Sequence, residues 1–442
     1  MFGYYLNLAL RSLRRNLALT ILMVGTIGAG IGASMTTLTI FRSMSADPIP
    51  QKSSWLFTPQ IDNEGPAEAQ SVRNISTSDL LPVKLTYTDA VALMRARAAP
   101  RQAAMYLTAV AVSPPDSQLL PFQVAARATY RDFFPMFDVP FEYGAPWSAA
   151  DDGTHAAVVV LSRKLNDRLF GGANSVGRSL RLDKRVYRVV GVADDWNPTP
   201  HFYDLTGTYL GGTEQIYLPF TRAIDQQLST EAGIGCLQRA PGNGWQAILH
   251  SECIWIELWT ELPNPIAESA YRTFLHNYAD EQRASGRFSW PARVALRNVQ
   301  QWLASNHVVS SNIRMLVLIA AAFLLACVLN AVALMLAKFM SNRSAVSIRR
   351  AMGANRGAIF KQCLVEAGII GVAGGALGLG LTLLGLLIAK GLFSGADVGL
   401  TRLDGSGVAM AELLSVGATL LAGLYPGWRT ARVQPAWHLK VQ

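Results

Sequence analysis

The sequence predicts an α-helical membrane protein with four transmembrane helices in a 1+3 order. A large mixed α+β extracytoplasmic domain of two subdomains is inserted between the first and second spans. The first observation is where charge is missing. Leu17–Phe41, Met315–Ala337 and Ala367–Ala389 carry no charged residue. Each is long enough to cross a bilayer as a helix, which takes about 20 apolar residues. The second is a shorter uncharged stretch, Leu413–Trp428, which reaches spanning length with residues 407–412 and the single carboxylate Glu412. The third is the ordinary globular composition of the residues between the first two stretches.

Charge sets the topology. The net charge of the 442 residues is +9, yet residues 42–310 hold 24 Lys+Arg against 26 Asp+Glu. The basic excess therefore lies beside the apolar stretches. No soluble domain carries a basic face, which excludes nucleic acid as a partner and leaves membrane lipid. Arg11, Arg14 and Arg15 precede the first stretch, and Lys338, Arg343, Arg349, Arg350, Arg356 and Lys361 separate the second from the third. Arg429, Arg432 and Lys440 follow the fourth. None of these segments contains Asp or Glu. The positive-inside rule puts them and both termini in the cytoplasm, with the inserted domain outside. The first apolar stretch has 25 residues, longer than a signal-peptide core of about 7–15, so it is read as a retained anchor.

In chain order the expected parts are a cytoplasmic amphipathic helix (1–16), the first span (17–41), the extracytoplasmic domain (42–311) and the second span (312–340). A cytoplasmic segment (341–361), the third span (362–390), a short external loop (391–406), the fourth span (407–427) and a cytoplasmic tail (428–442) follow. Leu6, Leu10 and Leu13 recur at helical spacing among arginines, which suits a helix on the membrane surface. Within the domain, Thr88–Arg97 reads as a Thr-capped helix. Ala103–Val112, Phe122–Tyr130 and Ala156–Leu161 read as strands. Ser162 caps a helix over Arg163–Phe170 that ends at Gly171. Ser179–Leu182 and Val186–Val192 form a hairpin around Asp183-Lys184, and Gln215–Leu218 is a short strand. Residues 223–265 lack a period and read as the loop-rich part of a second subdomain. Ile266–Ala284 reads as a helix, Phe288–Ala295 as a strand, and Arg297–Ser311 as a helix running into the second span.

The segment Ser344–Gly357 reads as a short amphipathic helix ended by Gly353, serving either as a solvated basic loop or as a docking element for a cytoplasmic partner. Gly28 and Gly32 in the first span, and Gly371, Gly374, Gly375 and Gly378 in the third, suit close helix packing. They serve either the core or a moving or dimeric seam. Glu366 and Glu412 lie near span ends, where pairing, of Glu366 with Lys338 or Lys361, is preferred over an ion pathway. Cys236 and Cys253 lie in the outside domain, where a disulfide is permitted, and whether they are bonded stays open. Cys327 and Cys363 read as small apolar span residues. The sequence contains no Gly-x-x-x-x-Gly-Lys-[Ser/Thr] loop, His-Glu-x-x-His, Cys-x-x-Cys or Gly-x-Ser-x-Gly. His201 with Asp204, and Asp194 with Asp195, are read as structural. No catalytic, cofactor or metal site is therefore expected.

Several motifs in order resemble one family. Ile348-Arg-Arg-Ala-Met-Gly-Ala354, Phe360-Lys-Gln-Cys-Leu-Val-Glu366, Gly374-Gly375 and Gly378 resemble the FtsX-like permease domain of ABC transporters. So does Gly423-Leu-Tyr-Pro-Gly-Trp-Arg-Thr-Ala-Arg-Val-Gln-Pro435. Val158–Ser162, Leu169–Gly172, Val176-Gly177 and Val189–Val192 resemble the MacB-like periplasmic core domain, and Ala9–Asn16 also fits. The resemblance implies a multi-pass protein of the bacterial inner membrane. It would work as a dimer with a second copy or a sister permease and dock a cytoplasmic ABC ATPase that binds the ATP. The coupling residues carried over are Ile348, Arg349, Arg350, Met352, Gly353 and Ala354 within Ala345–Arg356. This sequence departs from the macrolide exporters in having no fused ATPase domain, so a separate subunit is expected. Export or efflux, with a periplasmic adaptor as a further partner, is the implied function. The alternatives are mechanotransmission to a cell-wall hydrolase and lipoprotein release, with a membrane-anchored enzyme last.

Overall fold

The computed structural model describes residues 2–63, 81–114, 120–205, 213–236, 242–341, 348–349, 352–392 and 405–431. Its longest helices coincide with the uncharged stretches, because a backbone in lipid must satisfy its own hydrogen bonds. Phe2–Arg15 is α1 and Leu17–Ser45 is α2.

The inserted domain follows, and side-chain caps set most of its helix starts. Strand β1 is Leu56–Ile61 and β2 is Leu85–Thr86. Thr86 Oγ1 accepts from Asp89 N at 3.0 Å and starts α3, Tyr87–Ala96. The cap is thus two residues earlier than the expected Thr88. Strands β3 (Arg101–Ser113) and β4 (Phe122–Thr129) are antiparallel neighbours. The turn α4 (Phe133–Met136), strand β5 (Phe141–Gly144) and the Ser148-capped α5 (Ala149–Gly153) come next. Strand β6 (Val158–Ser162) leads into α6, Arg163–Phe170, capped by Ser162 and closed by the left-handed Gly171. Strands β7 (Ser179–Leu182) and β8 (Arg185–Ala193) form the expected hairpin. Asp183 and Lys184 both take positive φ there, the conformation that suits the twist of a two-residue hairpin turn. Strand β9 (Ile216–Pro219), α7 (Phe220–Asp225), α8 (Trp245–Leu249) and β10 (Ile254–Glu261) follow. The long helix α9 (Pro265–Ala284), with Asn264 as cap and Pro265 opening its first turn, precedes β11 (Val294–Asn298) and α10 (Val299–Ser305).

The strands join in one sheet, ordered β11-β1-β10-β3-β4-β9-β6-β8-β5, with β2 beside β10 and β7 beside β3 and β8. Alternate residues feed two cores, Ala104, Tyr106, Val159 and Leu161 on one face, Ala103, Met105, Val158 and Val160 on the other. The period-two geometry of a strand covered on both sides accounts for this.

Residues 46–308 form one compact unit, whose strands join in one sheet through β3. Three expectations differ from the structure. The expected loop region contains β10, a central strand. Its run Cys253-Ile-Trp-Ile-Glu-Leu-Trp has no polar–apolar alternation because both faces are buried. The returning strand starts at Val294, after Pro291, rather than at Phe288. The expected helix over Arg297–Ser311 is broken: Asn298 caps the short α10, and His307 has positive φ before the next helix begins at Ser311.

The remaining helices are α11 (Ser311–Ser341), α12 (Arg356–Leu392) and α13 (Gly405–Ala431). With α1 and α2 they belong to the second compact unit, residues 1–45 and 309–442. Among the described residues, three helices are long and apolar enough to cross a membrane: Leu17–Ser45, Ser311–Ser341 and Arg356–Ala389. Helix α13 packs along α12, where Ser415 Oγ donates to the Gly371 carbonyl at 2.6 Å.

Candidate functional site

Small residues bring the bundle helices together. A Cβ built on Gly28 would lie 2.8 Å from a Leu377 methyl, and one on Gly32 would lie 2.7 Å from Leu381 Cβ. From the other side, Gly374 and Gly378 face Ile27 and Ile31, each 2.8 Å from such a Cβ. Gly371 lies against Thr419 and the backbone of Val416, and Gly375 against the Glu412 carboxylate. All six candidate packing glycines are therefore occupied by helices of their own chain. Close backbone approach is how helices associate where lipid is as apolar as the side chains.

A buried ion pair crosses this bundle near one end. Lys338 in the last turn of α11 donates to Glu366 Oε2 of α12 at 2.9 Å, and the two residues are only 1% and 3% exposed. Gln362, one helical turn before Glu366, donates to its Oε1 at 3.1 Å. Arg349 Nη1 in turn donates to Gln362 Oε1 at 2.9 Å. The chain Arg349–Gln362–Glu366–Lys338 thus links the basic segment to the α11–α12 seam. Around it, Ile348 and Met352 are exposed, and Gly353 has φ +99°, a conformation that favours glycine. The Ala354 N–H donates to the Arg349 carbonyl at 3.1 Å, closing the turn. Arg350, with Ser344–Ser347 and Ala351 of the expected helix Ser344–Gly357, lies outside the described residues. A basic, partly apolar turn hydrogen-bonded to a buried charge pair can bind a partner and pass on its displacement. The pair cannot slide freely without uncovering a charge.

Comparison with known proteins decides the family. The family model of the MacB-like periplasmic core domain matches residues 20–247, just over half of the chain, and that of the FtsX-like permease C-terminal domain matches residues 317–435. The chain belongs to the MacB-like, FtsX-type ABC transporter permeases. It is 24% identical over 316 residues to the macrolide export ATP-binding/permease protein MacB of Salmonella paratyphi A, covering 71% of this permease and 42% of that protein. The MacB of Chromobacterium violaceum is 24% identical over 307 residues, covering 69% and 41% respectively. The permease therefore spans about two fifths of the length of these relatives. The crystal structure of the periplasmic region of MacB from Actinobacillus actinomycetemcomitans aligns with a TM-score of 0.37 at 12% identity, covering 60% of this permease and 96% of that chain.

In the inserted domain of the permease, Cys236 and Cys253 form a disulfide. Cys327 and Cys363 are buried thiols in the bundle. Asp194 and Asp195 are held by Arg163 at 2.9 and 3.9 Å. His201 and Asp204 sit in a buried polar network that their sequence spacing did not reveal. His201 Nε2 meets the Tyr203 hydroxyl, which donates to Glu214 Oε2 at 2.9 Å. Arg127 pairs with Glu214 and with Asp204, the latter at 2.8 Å, and Lys84 pairs with Glu257 at 2.7 Å. Burial lowers the His201 pKa. Among the described residues, no group of three His, Cys, Asp or Glu could hold a metal ion.

Three buried carboxylates share two cations in this network, and Glu257, though paired with Lys84, lies beside the Asp204 charge. Burial, ahead of the neighbouring Asp204 charge, pushes its carboxyl up to about 7. An unfolded glutamate titrates near pH ~4.3. The folded state therefore keeps a proton that the unfolded state releases. The stability contributed is full below about pH 4 and is lost as pH rises through about 7. Glu257→Gln, neutral at every pH, is expected to match the parent at about pH 5 and to exceed it by about 2–3 kcal/mol at about pH 8. Thermal unfolding of the full chain in detergent, followed by tryptophan fluorescence, reads this domain, which holds eight of the ten tryptophans. Parallel pH profiles for parent and variant would sink the assignment.

Proposed function

We propose that this permease is one subunit of an ABC exporter with four spans and both termini in the cytoplasm of a bacterial inner membrane. A cytoplasmic ABC ATPase binds and hydrolyses the ATP. It docks on the turn around Ile348, Arg349, Arg350, Met352, Gly353 and Ala354. Its closure moves the helix bundle, and the inserted domain on the outside responds. A second copy or a sister permease completes the dimer, and a periplasmic adaptor extends it. The observation that carries the reading is the hydrogen-bonded chain from Arg349 through Gln362 to the buried Lys338–Glu366 pair. It gives a surface docking event a rigid route into the bundle. Helix α13 supplies the fourth span in this reading: it packs on α12 and has the length to cross.

The test is purification from native membranes in mild detergent with trapped ATP, followed by mass spectrometry of stoichiometric partners. An ABC ATPase is expected at one copy per permease. Arg349→Glu with Arg350→Glu is expected to reduce its recovery by about tenfold or more, since opposed charges at a docking surface turn attraction into repulsion. Full ATPase recovery and turnover in that variant would contradict the docking assignment. A permease that retains no ATPase at all would contradict the transporter reading itself.

A further inference from the structure

On one face of the inserted domain's sheet lies a cleft of about 650 Å³, between the C-terminal half of α3, the start of β3, the turn after β4, and helices α5 and α7. Ligand-sized sites fall in the range of about 300–1,000 Å³. Its floor is aromatic: Tyr130 stacks on the buried Phe220 at 5.3 Å between ring centroids, and Tyr87 stacks on the same ring at 6.4 Å. Burial raises the pKa of Tyr130, keeping it a neutral phenol that can donate. Among the described residues, neither tyrosine hydroxyl has a hydrogen-bond partner, and the Arg95 charge acts on both.

The lining holds three arginines and three aspartates, so net field does not choose the ligand. What chooses it is which groups are already engaged. Asp132 accepts from Gln102 N, and Asp152 accepts from Arg131 N at 3.0 Å and from Trp147 Nε1 at 2.8 Å. Asp225 is paired with His155. By contrast Arg95, Arg97 and Arg131 are exposed, and among the described residues none of the three guanidinium groups has an ion-pair or hydrogen-bond partner. The cleft therefore offers unspent donors above a flat apolar floor. We infer that it binds an amphipathic anion, a molecule with a planar apolar body and a phosphate, sulfonate or carboxylate group. The body stacks on the Tyr130–Phe220 floor, and the anionic group takes the fork of a guanidinium, the geometry such groups share.

The experiment uses the full chain in phosphatidylcholine nanodiscs, with 1-naphthyl phosphate as probe, 1-naphthol as its neutral counterpart, and equilibrium dialysis against empty discs. Saturable binding of one naphthyl phosphate per chain is expected. The neutral naphthol, and the variant carrying Arg95→Gln with Arg131→Gln, are each expected to bind about tenfold or more weakly, the loss that follows from charge-assisted hydrogen bonds. Both arginines are exposed, so the variant should melt with the parent, which the same sample checks. Uptake no greater than in empty discs, equal affinity for the naphthol, or undiminished binding by the variant would each overturn the inference. Discs containing phosphatidylglycerol then separate two sources of the same chemistry. Competition with the probe identifies an anionic lipid as the occupant, and unchanged probe binding identifies a soluble amphiphile; both results uphold the site.

Discussion

Glu366→Gln is expected to destabilise the helix bundle by about 3–5 kcal/mol, the cost of leaving one member of a buried ion pair without its partner. Lys338 is 1% exposed and its ammonium donates to Glu366 at 2.9 Å. The amide in its place would be nearly the same shape, so the loss would come from charge rather than packing. Lys338→Met together with Glu366→Met removes both charges. Buried pairs replaced by apolar residues are often neutral or more stable, so the double variant should regain the parent's unfolding temperature. It would still lack the carboxylate that receives Gln362, and so the route from Arg349 would remain cut. The expected pattern is loss of fold in the single variant, and recovery of fold without recovery of coupling in the double variant. Unfolding temperature in detergent reads the first quantity, and ATP turnover of the co-purified complex reads the second. A double variant that couples normally would show that the pair only staples α11 to α12. A single variant that melts with the parent would show that the carboxylate is not needed at all.

The parts legible in the sequence were those written in local pattern. Charge-free stretches announced α2, α11 and α12 because lipid tolerates little else over that length. Ser162, eight helical residues and Gly171 announced α6 because a cap and a left-handed stop act over one turn. Asp183-Lys184 announced a hairpin for the same reason. The strand β10 was hidden because burial on both faces erases alternation, and the one polar residue within its apolar run, Glu257, belongs to a network rather than to a solvent face. That network was itself illegible: Arg127 meets Glu214 across 87 positions, and no spacing rule reaches so far. The coupling segment was half legible. Gly353 and the arginines could be read, while the link from Arg349 to Gln362 joins residues 13 apart on either side of a turn. The glycines of α12 show the limit most clearly. Gly368, Gly371, Gly374, Gly375 and Gly378 fall on one helical stripe, yet Gly368 has open space beside it and Gly371 has none.

That contrast carries the second large effect. A methyl group at Gly371 would overlap the Thr419 hydroxyl and lie 3.0 Å from Val416 Cα and 3.3 Å from the Ser415 carbonyl. Two of these three are backbone atoms, which no rotamer change can move. Relief requires α12 and α13 to separate, which would also strain the 2.6 Å bond from Ser415 Oγ to the Gly371 carbonyl. Alanine gains about 1 kcal/mol over glycine in helix propensity. Overpacking at a rigid contact costs about 1–3 kcal/mol, and the lost hydrogen bond adds about 1 kcal/mol more. The packing loss wins, and Gly371→Ala should unfold below the parent. At Gly374 and Gly378 the nearest atoms are side-chain carbons of Ile27 and Ile31. Part of the clash can relax there, and the loss should be smaller. At Gly368 and Gly380 nothing lies within 4 Å, so only the propensity gain remains and alanine should be neutral or stabilising. The ordering Gly368 and Gly380 above Gly374 and Gly378, with Gly371 lowest, is the measurable signature in thermal unfolding of the detergent-solubilised chain. Equal melting of Gly371→Ala and Gly368→Ala would mean that α12 and α13 do not meet at this seam. A helix that tolerates alanine on one turn of a glycine stripe and rejects it on the next is held by contacts that sequence periodicity alone does not resolve.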